Sequence, residues 1–367
     1  MLQAILDGAQ DAGHEAELVF FEPGSWPEEL RSRGFRVEVI SAGRLRQLHR
    51  WFATVLALAR IFRRRRPDLI LNWSAKTHLY GSPAAVLAGM RRRVTWWQQA
   101  IPITRFWGID VVATLLPAAA IGCYGRAAAQ AQGRLLPSRP TFVVHAGAPM
   151  PESSVSAEDA ERVAALGLPQ DLPIVGLVGR LQPWKGQDRL LHAQALLHGR
   201  GVPFHLLIIG GDSWGLSPDY ARSLPTLIDE LGLGGSVTMT GEVPDAGPYV
   251  EQMDVLVNAS DPEPFGIVLL EGMARGVAVV AVDSGGPAEF IEGGRTGMLA
   301  RSGEPQALAD ALEPLLSSAD LRRELGRTGH ESFLRDFTDA ALQRRFYATV
   351  ERLVQERRAG SKAGAQA

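Results

Sequence analysis

Glu263 and Glu271 stand eight positions apart in Glu263-Pro-Phe-Gly-Ile-Val-Leu-Leu-Glu271, across the entry to an otherwise apolar helix. Ahead of them, Asp254-Val-Leu-Val-Asn258 reads as a short buried strand and Ala259-Ser-Asp-Pro-Glu263 as the loop at its carboxyl end. That places Glu263 on the rim where open α/β sheets bind ligands. Gly266 permits close backbone approach, and the first helical turn offers N–H donors and a positive dipole end to an anion. Glu271 lies about a turn further in, among Leu269, Leu270, Met273 and Ala274, where a lone carboxylate is costly without a partner. A sugar or ribose diol suits it. A second loop, Val178-Gly179-Arg180-Leu-Gln-Pro-Trp184-Lys185-Gly186, also joins a strand to a helix. Its arginine fork and lysine point charge match a pyrophosphate. Taken singly, Glu263 complements a helix dipole, Glu271 faces solvent and the cations are solvated. Their convergence on one rim favours a ligand site.

Several chemistries are disfavoured. The chain has neither a Gly-x-x-x-x-Gly-Lys-Ser/Thr loop nor a Gly-x-Gly-x-x-Gly fingerprint, against an ATPase or a dinucleotide oxidoreductase. No Asp-x-Asp pair is available to hold a divalent ion, and Asp261-Pro-Glu263 is a weak metal signal, so neither metal nor cofactor is expected. Cys123 is the only cysteine, which rules out an internal disulfide framework and fits a reducing compartment. The amino terminus lacks the pattern of a signal peptide, and no apolar run reaches the roughly 18 residues of a membrane span. We expect a soluble cytoplasmic protein.

The net charge of −2 hides an asymmetry, because residues 1–150 hold 19 Lys/Arg against 10 Asp/Glu and the remainder holds 19 against 30. The excess clusters in Arg44-Leu-Arg46, Arg50, Arg60, Arg63 to Arg66 and Arg91 to Arg93. Leu48, Trp51, Phe52, Val55, Ala59 and Phe62 repeat at helical spacing through it, predicting an amphipathic basic helix over 44–66. Such a helix can rest on an anionic bilayer, at the inner face of a membrane; the alternative is a core-packed helix with solvated arginines. No nucleic-acid partner is expected.

These groups need a scaffold. Apolar runs of strand length alternate with helical segments, the pattern of parallel α/β architecture, and 367 residues at 46% hydrophobic suffice for two domains. Strands are predicted at 17–21, 36–40, 68–72, 94–97 and 141–145, then at 173–178, 204–209, 236–240, 254–258 and 277–281. The Pro/Ser-rich stretch 148–156 suits a linker, giving domains over 1–155 and 156–335, a helix over 336–357 that crosses back to the first domain, and a disordered tail over 358–367. Helices are predicted at 305–316, 319–335 and 339–357. Residues 2–12 read as a helix leading into the strand at 17–21, with no strand and glycine loop ahead. The first strand of a doubly wound sheet is usually central, so its loss exposes two edges and we expect the natural start to lie upstream; the alternative is a smaller sheet.

Gly179-Arg180 through Lys185-Gly186, the Glu-x7-Glu pair with the following Gly272-Met273, and Asp283-Ser-Gly-Gly-Pro-Ala-Glu289 together resemble the retaining glycosyltransferases of family 4. The resemblance covers about 15–355 and is strongest over 174–300. It implies a GT-B fold, two Rossmann-like parallel-sheet domains facing across a cleft, with a nucleotide-sugar donor held mainly by the second. It implies that Arg180 and Lys185 hold the donor diphosphate, that Glu271 accepts the ribose hydroxyls, and that Glu263 sits at the transferred sugar. Backbone N–H groups of Phe265, Gly266, Ile267 and Val268 complete the cradle. Ser74-Ala-Lys-Thr-His78-Leu-Tyr-Gly81 resembles the family's histidine loop, which puts His78 at the reaction centre. The family's first glycine-rich loop has no counterpart. Gln98 and Gln99 face the cleft by position, and Gly147 resembles a structural turn. The implied activity moves a hexose with retention and without metal to a lipid-linked, polysaccharide or small-molecule acceptor. A sugar-nucleotide epimerase, a phosphorylase and an inactive nucleotide-sugar binder share the architecture.

Overall fold

The computed structural model describes all residues but 44, 103–107, 153–154 and 364–367. Arg44 of the expected basic helix, Ser153 and Ser154 of the expected linker, and the end of the expected tail therefore lie outside the described residues. Two compact units partition the chain: Met1–His145 with the stretch from Leu342 onward, and Ala146–Ala341.

In the first unit the strands are β1 Glu17–Phe20, β2 Arg36–Val39, β3 Ile70–Asn72, β4 Val94–Gln98, β5 Ala120–Cys123 and β6 Thr141–Val143. They fall into two parallel sheets, β1-β2 and β3-β4-β5-β6. Among the described residues β1 pairs only with β2, and β3 only with β4. Burial follows this division: β4 and β5 are buried throughout, whereas β1 and β2 are half-buried at best. Sequence reading missed β5, because Val111–Gly122 is one apolar run that Pro117 divides into helix Ile109–Leu115 and the strand.

Helix Leu48–Arg65 forms where a basic amphipathic helix is predicted, but it buries Val55, Leu58, Ala59, Ile61 and Phe62 and leaves Leu48 and Phe52 exposed. Those two residues, assigned to the apolar face by spacing, lie on the outer flank. The long helix Asp339–Ala363 joins the first unit from Leu342: Leu342, Phe346 and Tyr347 pack with Ala4, Ile5, Trp97 and Val144, and the Tyr347 hydroxyl donates to the Ile5 carbonyl at 2.5 Å.

The second unit contains β7 Ile174–Val178, β8 His205–Ile209, β9 Val237–Gly241, β10 Val255–Asn258, β11 Ala278–Val282 and β12 Met298–Ala300, the last unforeseen because it spans three residues. All are parallel, in the order β12-β11-β10-β7-β8-β9. Their Val, Ile and Leu runs are continuous because helices cover both faces of the sheet. Helices Gln187–Gly199 and Pro305–Ser317 interlock through Leu190, Leu191, Leu197, Leu308, Leu312 and Leu315, each burial worth about 1.5–3 kcal/mol. The chain runs from β7 outward through β8 and β9, then returns to set β10 on the other side of β7. The loops after β7 and β10 therefore flank a topological switch point, where such sheets bind ligands.

Candidate active site

Two loops meet at that switch point. The first leaves β7 at Gly179 and Arg180, tightens into a 3-10 turn over Pro183–Lys185, and enters helix Gln187–Gly199 through Gly186. Gly186 has φ +74°, and a Cβ there would lie 2.5 Å from the Ala259 carbonyl oxygen. Only glycine meets both conditions, so it lets the first loop rest against the second. The Gln187 side-chain amide donates to the Arg180 carbonyl at 2.9 Å. Tyr220, on helix Pro218–Glu230, accepts from the Asp188 N–H at 3.1 Å and lies 2.8 Å from Asp188 Oδ1, capping an otherwise orphaned donor of the helix start. Arg189 reaches back to donate to the Ala259 carbonyl at 2.7 Å.

The second loop runs from Asn258 to Gly266. Glu263 is 7% exposed, and Lys185 Nζ donates to its Oε2 at 2.9 Å. Asn258 Nδ2 donates to the same oxygen at 3.1 Å. Burial works to raise the Glu263 pKa, but the Lys185 charge and hydrogen bonds from Lys185, Asn258 and Ser260 outweigh it and hold the carboxyl below its ordinary value. Its backbone is fixed as well, since Glu263 N–H donates to the Ser284 carbonyl at 3.2 Å and Gly286 N–H to the Glu263 carbonyl at 2.8 Å. The centre is thus an ion pair between residues 78 apart in sequence, braced from three loops.

From Gly266, with φ +94°, the chain enters helix Ile267–Ala274. The Phe265 ring is buried against Phe290, and its backbone N–H turns back to donate to Glu263 Oε1 at 3.5 Å. The N–H groups of Ile267 and Val268 belong to the first turn, where no intrahelical acceptor exists. Glu271 follows, half-buried. Its pKa is raised by burial first, with Arg275 opposing and Asp245 adding to the rise. Arg275 Nη1 is engaged by the Glu271 carbonyl at 3.2 Å, and the Glu271 carboxylate has no hydrogen-bond partner among the described residues. The two carboxylates therefore differ in kind: Glu263 is paired and held ionised, and Glu271 keeps its whole acceptor capacity for hydroxyl donors.

The structure brings Lys185 and Glu263 into contact, sets Arg180 in the same loop, and leads Phe265 to Glu271 away from them. His78 belongs to the other unit. Its ring is 0% exposed, stacked on Trp96 at 5.6 Å between centroids, with Nδ1 3.1 Å from Asn72 Nδ2. Burial pushes its pKa down to about 4, so it is neutral at physiological pH. A ring in this position reaches no ligand without moving. Gln98 likewise departs from its expected exposure, being buried and donating to Gln132 at 2.9 Å, while exposed Gln99 donates to the Trp73 carbonyl at 2.8 Å. Sequence reasoning missed Asn258, Gln187, Arg189 and Tyr220. An amide ending a buried strand was a usable signal for Asn258; the others depend on which helices neighbour one another. Among the described residues no cluster of three or more His, Cys, Asp or Glu could hold a metal ion.

With this geometry in view, the comparisons with known proteins are specific. Residues 158–332 match the model of glycosyl transferases group 1, and residues 1–175 that of the glycosyl transferase 4-like domain. The lipopolysaccharide core biosynthesis glycosyltransferase LpsE of Rhizobium meliloti is 35% identical over 185 residues, 49% of this chain and 52% of that protein. The D-inositol 3-phosphate glycosyltransferase of Corynebacterium urealyticum is 38% identical over 176 residues, 47% of this chain and 41% of that one. The matched region thus spans about half the length of these relatives or less. Among solved structures, Anabaena Alr3699/HepE in complex with UDP and glucose superposes with a TM-score of 0.79 at 25% identity, covering 95% of this chain and 94% of its own. Sucrose-phosphate synthase from Thermosynechococcus elongatus, at 21% identity and a TM-score of 0.74 over 98% of this chain and 93% of its own, shares the fold.

Proposed function

Because the chain belongs to the family-4-type glycosyltransferases of GT-B fold, we propose that it moves a hexose from a nucleotide diphosphate sugar to an acceptor with retention and without a metal ion. The observation that carries this reading is the Lys185–Glu263 pair at the switch point, beside a helix start and an unpartnered Glu271. Arg180 and Lys185 would neutralise the donor diphosphate and stabilise charge as the nucleotide departs. Glu271 would accept the ribose hydroxyls. Glu263 would accept hydroxyls of the transferred sugar through its remaining lone pairs and, held ionised, orient it. It is assigned no nucleophilic role, since Lys185 and Asn258 both occupy Oε2. The leaving phosphate, held by the cations, would then assist deprotonation of an acceptor attacking from the same face.

A uridine donor is the first to test, given the ligands named for the Anabaena protein. The relatives are named for lipopolysaccharide core biosynthesis and for D-inositol 3-phosphate, both hydroxyl-rich chemistries, which supports a sugar-like or lipid-linked acceptor here. The test is calorimetric titration with UDP, GDP and ADP alongside Lys185→Ala and Glu271→Ala. Binding of one nucleotide, weakened at least about tenfold by each substitution, is the expected result. Folded wild-type protein that binds none of the three would defeat the reading.

A further inference from the structure

The amino-terminal ends of β3 and β4 lie at the edge of the first unit's sheet opposite the strand ends at Asn72 and Gln98. A cavity of about 270 Å³ opens at that edge, between Asp68 ahead of β3, Arg92 and Arg93 ahead of β4, and Leu353, Glu356 and Arg357 of the last helix. All of these residues belong to the first unit. Open α/β sheets bind their substrates at the carboxyl ends of the strands, so donor chemistry leaves this cavity unused. Its size falls below the roughly 300–1,000 Å³ of pockets that enclose drug-sized ligands and suits a small ion.

The charges around it do not balance. Arg92 is exposed and has no hydrogen-bond or ion-pair partner among the described residues. Arg93 is held through Nη1, which donates to the Pro67 carbonyl at 2.7 Å and to the Arg66 carbonyl at 3.3 Å. Those bonds fix the guanidinium without neutralising it. Arg357 Nη2 donates to Asp68 Oδ1 at 3.0 Å, but Arg358 shares that oxygen at 3.3 Å. Arg357 Nε is buried with no hydrogen-bond partner among the described residues, an N–H that a ligand oxygen would satisfy. Four guanidiniums are thus gathered with two carboxylates, and Glu356 makes no ion pair among the described residues. A self-contained network would join Arg92 to Glu356; the two line one cavity without pairing. Burial first, and then the Arg357 charge, push the Arg93 pKa down, with Asp68 opposing. An anion between these cations relieves that repulsion. Guanidinium forks converging from two elements match the several oxygens of a phosphate better than chloride or a single carboxylate.

We infer that this cavity binds a small phosphate anion, free phosphate or a compact phosphate monoester, between Arg92 and Arg93 at the sheet edge and Arg357 on the last helix, and that the anion fastens the helix to the sheet. The inference does not rest on the donor reading, and its test is read in the first unit alone. Hydrogen exchange of the full chain is compared in inorganic phosphate and in chloride at equal ionic strength. Phosphate should slow exchange over 88–95 and 350–358. The phosphate concentration needed should rise about tenfold in Arg92→Gln, whose side chain supports nothing else in the fold, and less in Arg92→Lys, which keeps the charge. Glu356→Gln removes a carboxylate that repels the anion and should lower that concentration. No slowing by phosphate in these segments of the wild type overturns the proposal, as does equal slowing in Arg92→Gln, or weaker binding in Glu356→Gln. Slowing by phosphatidylglycerol vesicles with none by free phosphate overturns it in favour of a lipid headgroup.

Discussion

The two units solve opposite problems with polar groups. In the second, the charged residues of the switch point are drawn inward and paired, Lys185 on Glu263 with Asn258 beside them, so a buried carboxylate stays ionised. In the first, the polar groups at the strand ends are buried in neutral form. His78 lies against Asn72 and Trp96, and Gln98 against Gln132, which in turn donates to Thr114 at 2.8 Å. The first unit's free cations lie outside. Paired charges at a rigid sheet rim are suited to hold a diphosphate with little reorganisation, whereas unpaired cations outside a neutral interior are suited to take up a small anion from solution. The units should therefore respond differently to substitution and to pH.

The largest separation comes from breaking the ion pair. Lys185→Ala leaves a buried carboxylate supported only by neutral donors, and we expect about 3–5 kcal/mol of destabilisation, confined to the second unit. Lys185→Met with Glu263→Leu should recover most of that stability while leaving nucleotide-sugar turnover abolished. Thermal unfolding of the two singles and the double settles it. Equal loss in the double and the sum of the singles would mean the pair is not coupled.

Acid should separate the units next. The folded His78 pKa, about 4, lies below its ordinary 6.5, so the unfolded chain binds the proton more readily and stability falls as pH drops from 6.5 to 4. The full loss is about 3 kcal/mol, borne by the first unit. Glu263 has its folded pKa below its ordinary 4.5, so its contribution is complete above that value and is lost only as pH falls further, through the folded pKa. Hydrogen exchange between pH 7 and 4.5 should show the first unit loosening more than the second, where burial also lowers the His205 pKa, and His78→Gln should flatten the first unit's response. Equal loosening of both units would break the contrast.

Within the second unit, Glu271 is the exception that sharpens the rule. Its folded pKa is raised, so an ionisation penalty appears as pH rises through the folded value and is present at neutral pH wherever the carboxyl is charged. Glu271→Gln removes that charge at nearly constant shape. We expect a modest rise in the melting temperature of the free protein together with roughly tenfold weaker nucleotide binding, about 1.4 kcal/mol. A lower melting temperature would assign Glu271 to structure instead.

The legibility of these features in the sequence follows the range of the interactions. The β7 and β10 rims were readable because continuous Val, Leu and Ile runs end in polar, glycine-bearing loops, a local signal. That Lys185 touches Glu263 was not, because it depends on β10 returning beside β7 across 78 residues. The helix at 48–65 was readable, but not which flank it buries: apolar residues extend more than halfway around it, and only the neighbouring helix decides that Leu48 and Phe52 stay outside. His78 was read from its loop, as a group at a helix start. Its burial is set by Trp96 and Asn72, on two strands whose adjacency the sequence does not declare.

The smallest effect tests whether the rim is preorganised or merely present. Tyr220 touches neither Lys185 nor Glu263; it holds the Asp188 N–H, two residues past Gly186, and lies 3.1 Å from Oε1 of Gln187, whose amide clamps the Arg180 carbonyl. Tyr220→Phe keeps the ring and removes one hydroxyl, a loss of about 1 kcal/mol in stability. If the loop is positioned through this contact, nucleotide affinity falls a few-fold, the Lys185→Ala background abolishes that further loss, and the first unit's hydrogen exchange is untouched. An unchanged affinity at reduced stability would make Tyr220 a fold residue, and the loop's geometry would then rest on Gly186 and on the Arg189 bond to Ala259 alone.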